Sequence, residues 1–238
     1  MSSETGRLGR VATFNIHHGA PPKVQRASGR VARALDGASF DLVALQEVDR
    51  FAVRSGFSDQ VAAFARDSGL HPCFAFTRAI HPGSQYGHAL FTAEPLRAVE
   101  IVGLPRCGVE RRVAIIAAVT IGGVEISVAA AHLHNSRAVA LLQLEVVLER
   151  LRRRPGPHLL LGDLNLKPAD AAGQFEAAGF GPLDQPSAFP SPNPTKAIDW
   201  IVASGLIVED FEVIEDQSSD HRPVVASLRL PLEALRSL

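Results

Sequence analysis

The chain has 238 residues, of which 46% are hydrophobic, and its formal net charge is −1 at pH 7; this length and composition allow a sizeable core in one or two domains. So small a charge provides no general field that attracts polyanions, which weighs against an enzyme of bulk nucleic acid but leaves a local basic groove open. No stretch approaches the roughly 18 apolar residues that span a bilayer, and residues 1–10 lack the apolar region of a secretion signal, so we expect a cytoplasmic protein without membrane contact.

Strand-like and helix-like segments alternate from the start of the chain. Apolar runs that end at Asn15 and Glu47 predict two buried strands. Between these strands a first helix is predicted from apolar residues at helical spacing, namely Val24, Ala27, Val31, Ala34 and Leu35. A second helix is predicted over residues 59–68, and Gly69 ends it.

The middle of the chain consists of short β-like runs separated by glycine, proline and charged residues, at 74–76, 89–92, 97–102, 113–120 and 124–131. Gly122-Gly123 between the last two runs is typical of a two-residue hairpin turn. The last part of the chain is predicted to contain a strand at 158–161, a helix at 169–178, a proline-rich loop at 182–194 and two or three strands between 198 and 230. Before them, a long helix over 136–153 is predicted from a stripe of leucines at helical spacing: Leu141, Leu144, Leu148 and Leu151.

These elements predict one domain over residues 10–238, preceded by a flexible tail over residues 1–9. Hairpins in the middle and helices on both sides are typical of a four-layered α/β sandwich, in which two packed mixed β-sheets are flanked by helices. The two cysteines, Cys73 and Cys107, have no spacing that indicates a metal site or a disulfide framework.

Polar residues at the ends of the predicted strands carry the functional signal. A strand end on a rigid scaffold can present a side chain to a pocket, so several such ends predict one assembled active site. Taken singly, each residue also has a structural explanation, as a turn, a solvated carboxylate or a core histidine. We expect the His17-His18 pair after the first strand to fill a loop rather than to bind a ligand. The set comprises Asn15, Glu47, His132, Asp163, Asn165, Asp199, Asp220 and His221.

The donor atoms of this set favour a magnesium site. Mg²⁺ prefers oxygen ligands and usually binds through one or two carboxylates together with substrate phosphate. A Zn²⁺ site would require cysteines or clustered histidines, which this spacing does not provide. A metal ion, two imidazoles and an amide would supply the charge stabilisation that in-line attack of water on a phosphoester requires.

Six motifs also occur in the order of a known family: Thr13-Phe14-Asn15-Ile16, Leu45-Gln46-Glu47-Val48-Asp49-Arg50, Ala131-His132-Leu133, Leu161-Gly162-Asp163-Leu164-Asn165, Ile198-Asp199-Trp200-Ile201 and Ser219-Asp220-His221-Arg222-Pro223-Val224. From Arg10 to about Leu230, the chain resembles the endonuclease/exonuclease/phosphatase superfamily, whose members share a fold with pancreatic deoxyribonuclease. By size and by the pattern from Glu47 to Gly56, it is most similar to small bacterial stand-alone members.

The resemblance implies a metal centre that acts on a phosphate-ester substrate. Glu47 would be the main ligand of Mg²⁺, with Mn²⁺ as a substitute. Asn15 and Asp220 would complete or support the metal environment.

The resemblance also implies a role for each remaining polar residue. Asp163 would orient or deprotonate the attacking water, and Asn165 would hold that water or a phosphate oxygen. His132 and His221 would donate to the non-bridging oxygens of the phosphate. Asp199 would pair with His221, fix its tautomer and favour its cationic form.

The chain departs from the family pattern at several positions. His88 stands where many relatives have asparagine, and Ala131 stands where many have threonine before the histidine. The resemblance implies that His88 and Arg112 contact the substrate phosphate, although His88 also fits a rim histidine. For Arg54 and Arg112, a solvated salt bridge explains the residue as well as a substrate contact does.

The resulting hypothesis is a Mg²⁺-dependent hydrolase of a phosphodiester or phosphomonoester that acts as a monomer. A DNA or RNA nuclease of the same family is the first alternative, and the net charge does not favour it. A non-catalytic binding module that keeps the fold is the second alternative. Such a module would normally have lost one of Glu47, Asp163, Asp220 and His221, and all are present.

Overall fold

The computed structural model describes residues 7–19, 35, 39–108 and 111–231. Its helices are α1 (Gln60–Ser68), α2 (Arg137–Arg152) and α3 (Pro168–Ala177). Its strands are β1 (Arg7–Asn15), β2 (Leu42–Arg50), β3 (His71–Arg78), β4 (Gln85–Thr92), β5 (Arg97–Gly103), β6 (Val113–Ile121), β7 (Val124–His132), β8 (His158–Asp163), β9 (Asp199–Ser204), β10 (Ile207–Val213) and β11 (Val224–Arg229). None of the helices in this part of the chain is long and apolar enough to cross a membrane.

The strands form two mixed sheets. The larger sheet has six strands in the order β10-β11-β1-β2-β4-β3, and the smaller sheet has five in the order β5-β6-β7-β8-β9. Within the larger sheet β1 and β2 are parallel, and within the smaller sheet β7 and β8 are parallel. Both parallel pairs therefore bring the carboxyl ends of their strands to one edge of their sheet, which is where the predicted functional residues stand.

Three apolar clusters define four layers. The largest cluster lies between the two sheets and joins residues such as Val11 and Leu90 to Ile115 and Leu161. A second cluster packs α2 and α3 against the smaller sheet, with Leu144 and Phe175 against Trp200. The third cluster packs α1 against the larger sheet. The predicted α/β sandwich of two mixed sheets flanked by helices is therefore confirmed.

Local sequence signals explain the ends of several elements. The side chain of Asp59 accepts a hydrogen bond from Ala62 N and caps α1, while Gly69 ends the helix at a left-handed φ of 74°. Gly122 and Gly123 both have positive φ, as the predicted hairpin turn between β6 and β7 requires. In α2, Leu144, Leu148 and Leu151 are buried as predicted, whereas Leu141 is only half-buried.

Some predicted boundaries differ from the structure. β1 begins at Arg7, so residues 7–9 belong to the sheet and not to the predicted tail. β2 continues through Glu47 to Arg50, because Val48 is fully buried and the strand resumes pairing with β4 there. Of the helix predicted between β1 and β2, only Leu35 lies within the described residues, and it is buried.

Candidate active site

The smaller sheet aligns three of the predicted residues in one row. His132 at the end of β7 is paired in register with Asp163 at the end of β8, and Asp163 is paired with Asp199 at the start of β9. Residues paired in register project to the same face of a sheet. All three are buried, with exposures of 6%, 2% and 0% respectively. The fold therefore places two carboxylates beside one imidazole with little solvent between them.

The larger sheet contributes Asn15 and Glu47 through a local irregularity. Asn15 ends β1 opposite Gln46 of β2. Between Leu45 and Val48 the register with β4 shifts, so that β2 carries one extra residue there, and Glu47 adopts a φ of 59°. Positive φ is unfavourable for a residue with a Cβ, and such strain often accompanies a functional position. This bulge turns Glu47 out of the strand alternation and toward Asn15.

The loop before β11 is fastened to the end of β1 by Ser219. Its hydroxyl donates to the backbone oxygen of Asn15 at 2.7 Å, and His221 N donates back to that hydroxyl oxygen at 3.3 Å. Ser219 is 8% exposed. It therefore positions both of its functional neighbours, Asp220 and His221, although the sequence assigned it no role of its own.

The side chain of Asn15 connects the two sheets at the centre of the site. Its amide nitrogen donates to Oε1 of Glu47 at 3.2 Å and to Oδ2 of Asp163 at 3.0 Å. Its oxygen accepts a hydrogen bond from the backbone N–H of His17 at 3.0 Å. In this orientation the amide nitrogen of Asn15 supports both carboxylates, and its oxygen is held by the turn that follows β1.

His221 and Asp199 form a close buried pair. The Nδ1 atom of His221 lies 2.9 Å from Oδ2 of Asp199 and 3.1 Å from Oδ1. Because a carboxylate only accepts hydrogen bonds, Nδ1 carries a proton and donates a hydrogen bond to Asp199. The opposite nitrogen, Nε2, lies 3.7 Å from Oδ2 of Asp163. Asp199 therefore fixes the orientation of the ring and keeps a proton on Nδ1, and the ring points its other nitrogen into the site.

Asp163 is surrounded by nitrogen atoms. Its Oδ2 faces the amide of Asn15, Nε2 of His132 at 3.5 Å and Nε2 of His221. Its Oδ1 accepts from the backbone N–H of Asn165 at 3.0 Å, and Asn165 has a left-handed φ of 52°. The amide of Asn165 in turn donates to Leu133 O at 3.0 Å. The turn after β8 is thus held by the carboxylate that it presents.

Burial and neighbouring charge set the ionisation of this cluster. Burial and the nearby Asp199 raise the pKa of Asp163, against the opposite effect of His221. Burial alone would lower the pKa of His221, but its hydrogen bond to Asp199 raises that pKa to about 9. Burial and the charge of Arg112 lower the pKa of His132 well below its ordinary value. At neutral pH His221 is therefore a cation, whereas His132 is neutral.

Glu47 remains ionised in spite of its surroundings. Burial by itself would raise the pKa of this carboxyl, yet contact with His18, the nearby His132 and the hydrogen bond from Asn15 hold it well below the usual range. A permanently charged carboxylate is the appropriate donor for a divalent cation.

Gly162 shows why the Gly-Asp-x-Asn motif begins with glycine. Its φ is 144°, and a Cβ atom at this position would lie 1.9 Å from the backbone oxygen of Ala131. Only a residue without a side chain allows β8 to approach β7 this closely just before Asp163.

These residues open into one cleft with a volume of about 500 Å³. The cleft is lined from the larger sheet by Asn15, Glu47, Asp220 and His221 and from the smaller sheet by His132, Asp163 and Asn165, with Arg112, Asn135, Lys167, Asp170, Phe189, Lys196 and Ile198 around them. Of the eight residues predicted at strand ends, seven line this cleft. Asp199 lies behind His221 and is fully buried, so it acts on the site through that histidine.

A comparison of the chain with models of protein families agrees with this geometry. The family model for the endonuclease/exonuclease/phosphatase family matches residues 12–221, which contain every member of the site. The chain belongs to this family. A search of curated protein sequences finds no significant match.

Solved structures of family members and of an uncharacterised protein have the same fold. An endonuclease/exonuclease/phosphatase from Beutenbergia cavernae is 25% identical, with a TM-score of 0.76 over 94% of this chain and 72% of its own. A functionally unknown conserved protein from Enterococcus faecalis is 20% identical, with a TM-score of 0.76 over 93% of this chain and 100% of its own. The human Nocturnin catalytic domain with bound sulfate is 17% identical, with a TM-score of 0.74 over 97% of this chain and 96% of its own.

The two residues predicted to contact the substrate, Arg112 and His88, lie in different places in the fold. Arg112 lines the cleft, as a phosphate contact requires. His88 does not; it is 2% exposed and lies beside the backbone of Ala130 on β7, and burial lowers its pKa to about 4. Substitution of the usual asparagine has therefore placed a neutral imidazole between the sheets, and a direct substrate contact by His88 is not supported by its position.

Arg54 has a structural partner. Its guanidinium binds both oxygens of Asp49, at 2.8 Å each, and lies over the ring of Tyr86. Asp49 is fully buried, so the ion pair neutralises a carboxylate inside the larger sheet. Of the two explanations that the sequence allowed for Arg54, the structure supports the salt bridge.

Several cleft residues had no role in the sequence interpretation. Lys167 and Lys196 are two of the three lysines in the chain, and both line the cleft. Phe189 packs against the ring of His221 with centroids 4.6 Å apart, and Nζ of Lys196 lies 5.1 Å from the centroid of Phe189. Lys167 follows the Gly-Asp-x-Asn motif by two positions, but nothing local in the sequence marks Lys196 or Phe189.

Proposed function

We propose that the protein is a Mg²⁺-dependent hydrolase of small phosphate esters. The observation that carries this proposal is that Asp163, surrounded by three side-chain nitrogen atoms, and the ionised Glu47 lie in one cleft. This arrangement supports the proposal, because these residues could serve as a base, phosphate-oxygen donors and a cation ligand within one small volume, as phosphoryl hydrolysis requires.

The donor set fits a hard divalent cation. Glu47 and Asp220 offer carboxylate oxygens to the cleft, and the depressed pKa of Glu47 keeps its charge at any working pH. Asn15 would hold Glu47 in place through its amide hydrogen bond. A divalent ion bound by these residues would neutralise charge on the phosphate oxygens and favour the attack of water.

Asp163 would orient the water and accept its proton. A carboxyl group whose pKa is raised by burial is a stronger base than a solvated one, which suits it to this task. Asn15 and Asn165 donate to different oxygens of Asp163 and so fix the plane of the carboxylate. The water would then be held in line with the phosphorus rather than diffuse freely.

His221 and His132 would stabilise the charge that develops on the phosphate oxygens. The cationic His221 directs Nε2 into the cleft, because Asp199 occupies the other side of the ring. His132 presents a neutral ring beside it, and Arg112 adds a fixed positive charge at the cleft wall. Preorganised donors of this kind stabilise a transition state without the need to reorganise solvent.

The cleft favours a small substrate. Its volume of about 500 Å³ accommodates a phosphate with one modest organic group. Arg112, Lys167 and Lys196 bring positive charge to its wall, beside the carboxylates that also line it, and the net charge of the chain is −1. Small phosphodiesters, phosphomonoesters or short nucleic-acid ends are therefore favoured over intact duplex DNA, which needs many phosphate contacts.

A substrate screen tests the proposal. The purified protein is incubated with Mg²⁺ and a bis-aryl phosphodiester, an aryl phosphomonoester, a phosphoinositide, abasic DNA and supercoiled plasmid. Hydrolysis of a small ester that is abolished by EDTA and by Glu47→Gln, but kept in Glu149→Gln on the outer face of α2, supports the proposal. Undiminished hydrolysis in EDTA would contradict it, and efficient salt-sensitive nicking of the plasmid would assign the protein to the nuclease branch.

A further inference from the structure

A short turn with two histidines lies directly beside the proposed cation site. Residues His17–Gly19 form a single 3₁₀ turn after β1, and both histidines have left-handed φ values of 43° and 46°. Such values are unfavourable for residues with a Cβ and persist only when other contacts impose them. Two consecutive strained histidines therefore need an explanation other than filling a loop.

The contacts that impose this conformation come from three directions. His17 N donates to the side chain of Asn15, and Gly19 N donates to Ile16 O at 2.8 Å. The carbonyl of His18 accepts from Nε2 of Gln60 at 3.1 Å. Gln60 is 2% exposed, and its own oxygen accepts from Asp49 N of β2 at 2.7 Å. The turn is thereby fixed to the start of α1 and to the strand that carries Glu47.

Both rings direct Nδ1 at the carboxylates of the cation site. Nδ1 of His18 lies 3.6 Å from Oε2 of Glu47, and Nδ1 of His17 lies 3.5 Å from Oδ1 of Asp220. One donor atom from each of His17, His18 and Glu47 lies within 4.8 Å of the others. Among the described residues, no hydrogen-bond partner reaches Nδ1 of His18, although this atom is buried.

These separations are longer than good hydrogen bonds but suit ligands of a shared ion. Two adjacent ligand atoms that each lie about 2.1 Å from one metal are roughly 3.4 Å apart in tetrahedral geometry and roughly 3.0 Å apart in octahedral geometry. Glu47 also divides its oxygens, because Oε1 faces Asn15 and Oε2 faces His18. The second oxygen is thus directed toward the imidazoles and away from the hydrogen bond that Asn15 makes.

We propose that His17 and His18 are direct ligands of the cation held by Glu47, and that their nitrogen atoms make this centre bind Mn²⁺ or another transition-metal ion more tightly than Mg²⁺, which still occupies it for the proposed hydrolysis. The inference rests on the proposed function for the location of the cation and adds two ligands to it. Imidazole nitrogen suits transition metals, whereas Mg²⁺ takes oxygen ligands almost exclusively. The buried Nδ1 atom of His18 then has the partner that its surroundings require.

Pulsed electron paramagnetic resonance of bound Mn²⁺ tests the inference without an activity assay. The protein is purified with EDTA, loaded with Mn²⁺ and measured with natural-abundance and with ¹⁵N-histidine-labelled chains. Direct coordination by imidazole gives a nitrogen coupling that changes on ¹⁵N labelling of histidine. This measurement needs no substitution, so it does not depend on whether a variant folds.

Variants then assign the coupling to the turn. His17→Gln, His18→Gln and the double variant are compared with His71→Ala, which removes an exposed histidine on β3. The double variant should lose the nitrogen coupling and bind Mn²⁺ at least about tenfold more weakly, the smaller effect expected when a metal site loses a supporting group. Its Mg²⁺ affinity should change less, and His71→Ala should behave as wild type. Circular dichroism checks that each variant is folded.

The outcomes separate this inference from the proposed function. A nitrogen coupling that disappears in the double variant supports the two ligands, even if no phosphoester in the screen is hydrolysed. Bound Mn²⁺ without nitrogen coupling overturns the inference, even if hydrolysis is efficient. A coupling that survives in the folded double variant also overturns it, since another histidine would then be the ligand.

Discussion

The amide of Asn15 on β1 donates a hydrogen bond to Asp163 on β8 over 3.0 Å, and these residues are 148 positions apart in the chain. β1 belongs to the larger sheet and β8 to the smaller one. This bond joins the sheet that carries the cation ligands to the sheet that carries the proposed base. Together with the His221–Asp199 pair, which also joins the two sheets, this buried amide sets the relative position of the two halves of the site.

Asn15→Ala tests this connection. Loss of the hydrogen bonds to two carboxylates should reduce the free energy of unfolding in EDTA by about 1–3 kcal/mol, the usual cost of leaving a buried charged acceptor unsatisfied. Activity should fall by more than the loss of folded protein explains. Urea denaturation and initial rates on one preparation measure both quantities. Asn135→Ala, at the exposed rim of the cleft, is the control, and equal effects in the two variants would contradict the prediction.

Asp199→Asn should separate a catalytic effect from a structural one. The substitution keeps the size of the side chain but removes the charge that raises the pKa of His221 and orients its ring. We expect the rate to fall by on the order of 10²–10⁴, the range for positioned proton-handling groups. The pH profile should also change, because His221 would lose its proton at lower pH. A large drop in melting temperature with normal turnover of the folded fraction would show a purely structural pair; Asp184→Asn, on an exposed loop, is the control.

His88 should make the folded protein sensitive to acid. Burial lowers its pKa from 6.5 to about 4, so the unfolded chain takes up a proton at a higher pH than the folded chain does. Its contribution to stability is fully present above pH 6.5 and is lost as the pH falls toward 4, by at most about 3 kcal/mol.

This prediction is measured as a difference. The free energy of unfolding is determined between pH 4 and 8 for wild type and for His88→Asn, which restores the residue common in the family. The wild-type curve should fall more steeply with acid than the variant curve. Parallel curves would show that His88 is protonated equally in the folded and unfolded chains.

Substitution of Arg112 should change the kinetics, whereas substitution of Arg54 should change the stability. Arg112→Ala removes a cation from the cleft wall and should raise KM more than it lowers kcat if the contact is equally strong in the ground and transition states. Arg54→Ala leaves the buried Asp49 without its partner and should cost about 1–3 kcal/mol of stability with little change in KM. Both variants are measured by steady-state kinetics and by denaturation, so each variant is the control for the other. A higher KM in Arg54→Ala alone would reverse the assignment.

The local sequence was sufficient to predict most elements and the polar strand-end residues that line the cleft. The Asp59 cap and Gly69 stop of α1, the Gly122-Gly123 turn and the leucine stripe of α2 depend on contacts within a few residues, so pattern and propensity determine them. The polar residues at strand ends could also be chosen from the sequence, because a buried strand that ends in a carboxylate or an imidazole has few structural uses for it.

The sequence could not predict how these residues face one another. The row of His132, Asp163 and Asp199 depends on the register of three strands, and the aim of Glu47 depends on a bulge against β4. Register and bulges are set by pairing between distant segments, which no local pattern contains.

Tertiary packing also decided the environments of the histidines. His88 was expected at the substrate and lies between the sheets, whereas the His17-His18 pair was expected to fill a loop and lies against Glu47 and Asp220. The sequence by itself determined which donors and acceptors this protein has and the order in which they come. Only the folded chain decided which of them are desolvated and which meet, because burial and electrostatic coupling are properties of atoms brought together from distant parts of the chain.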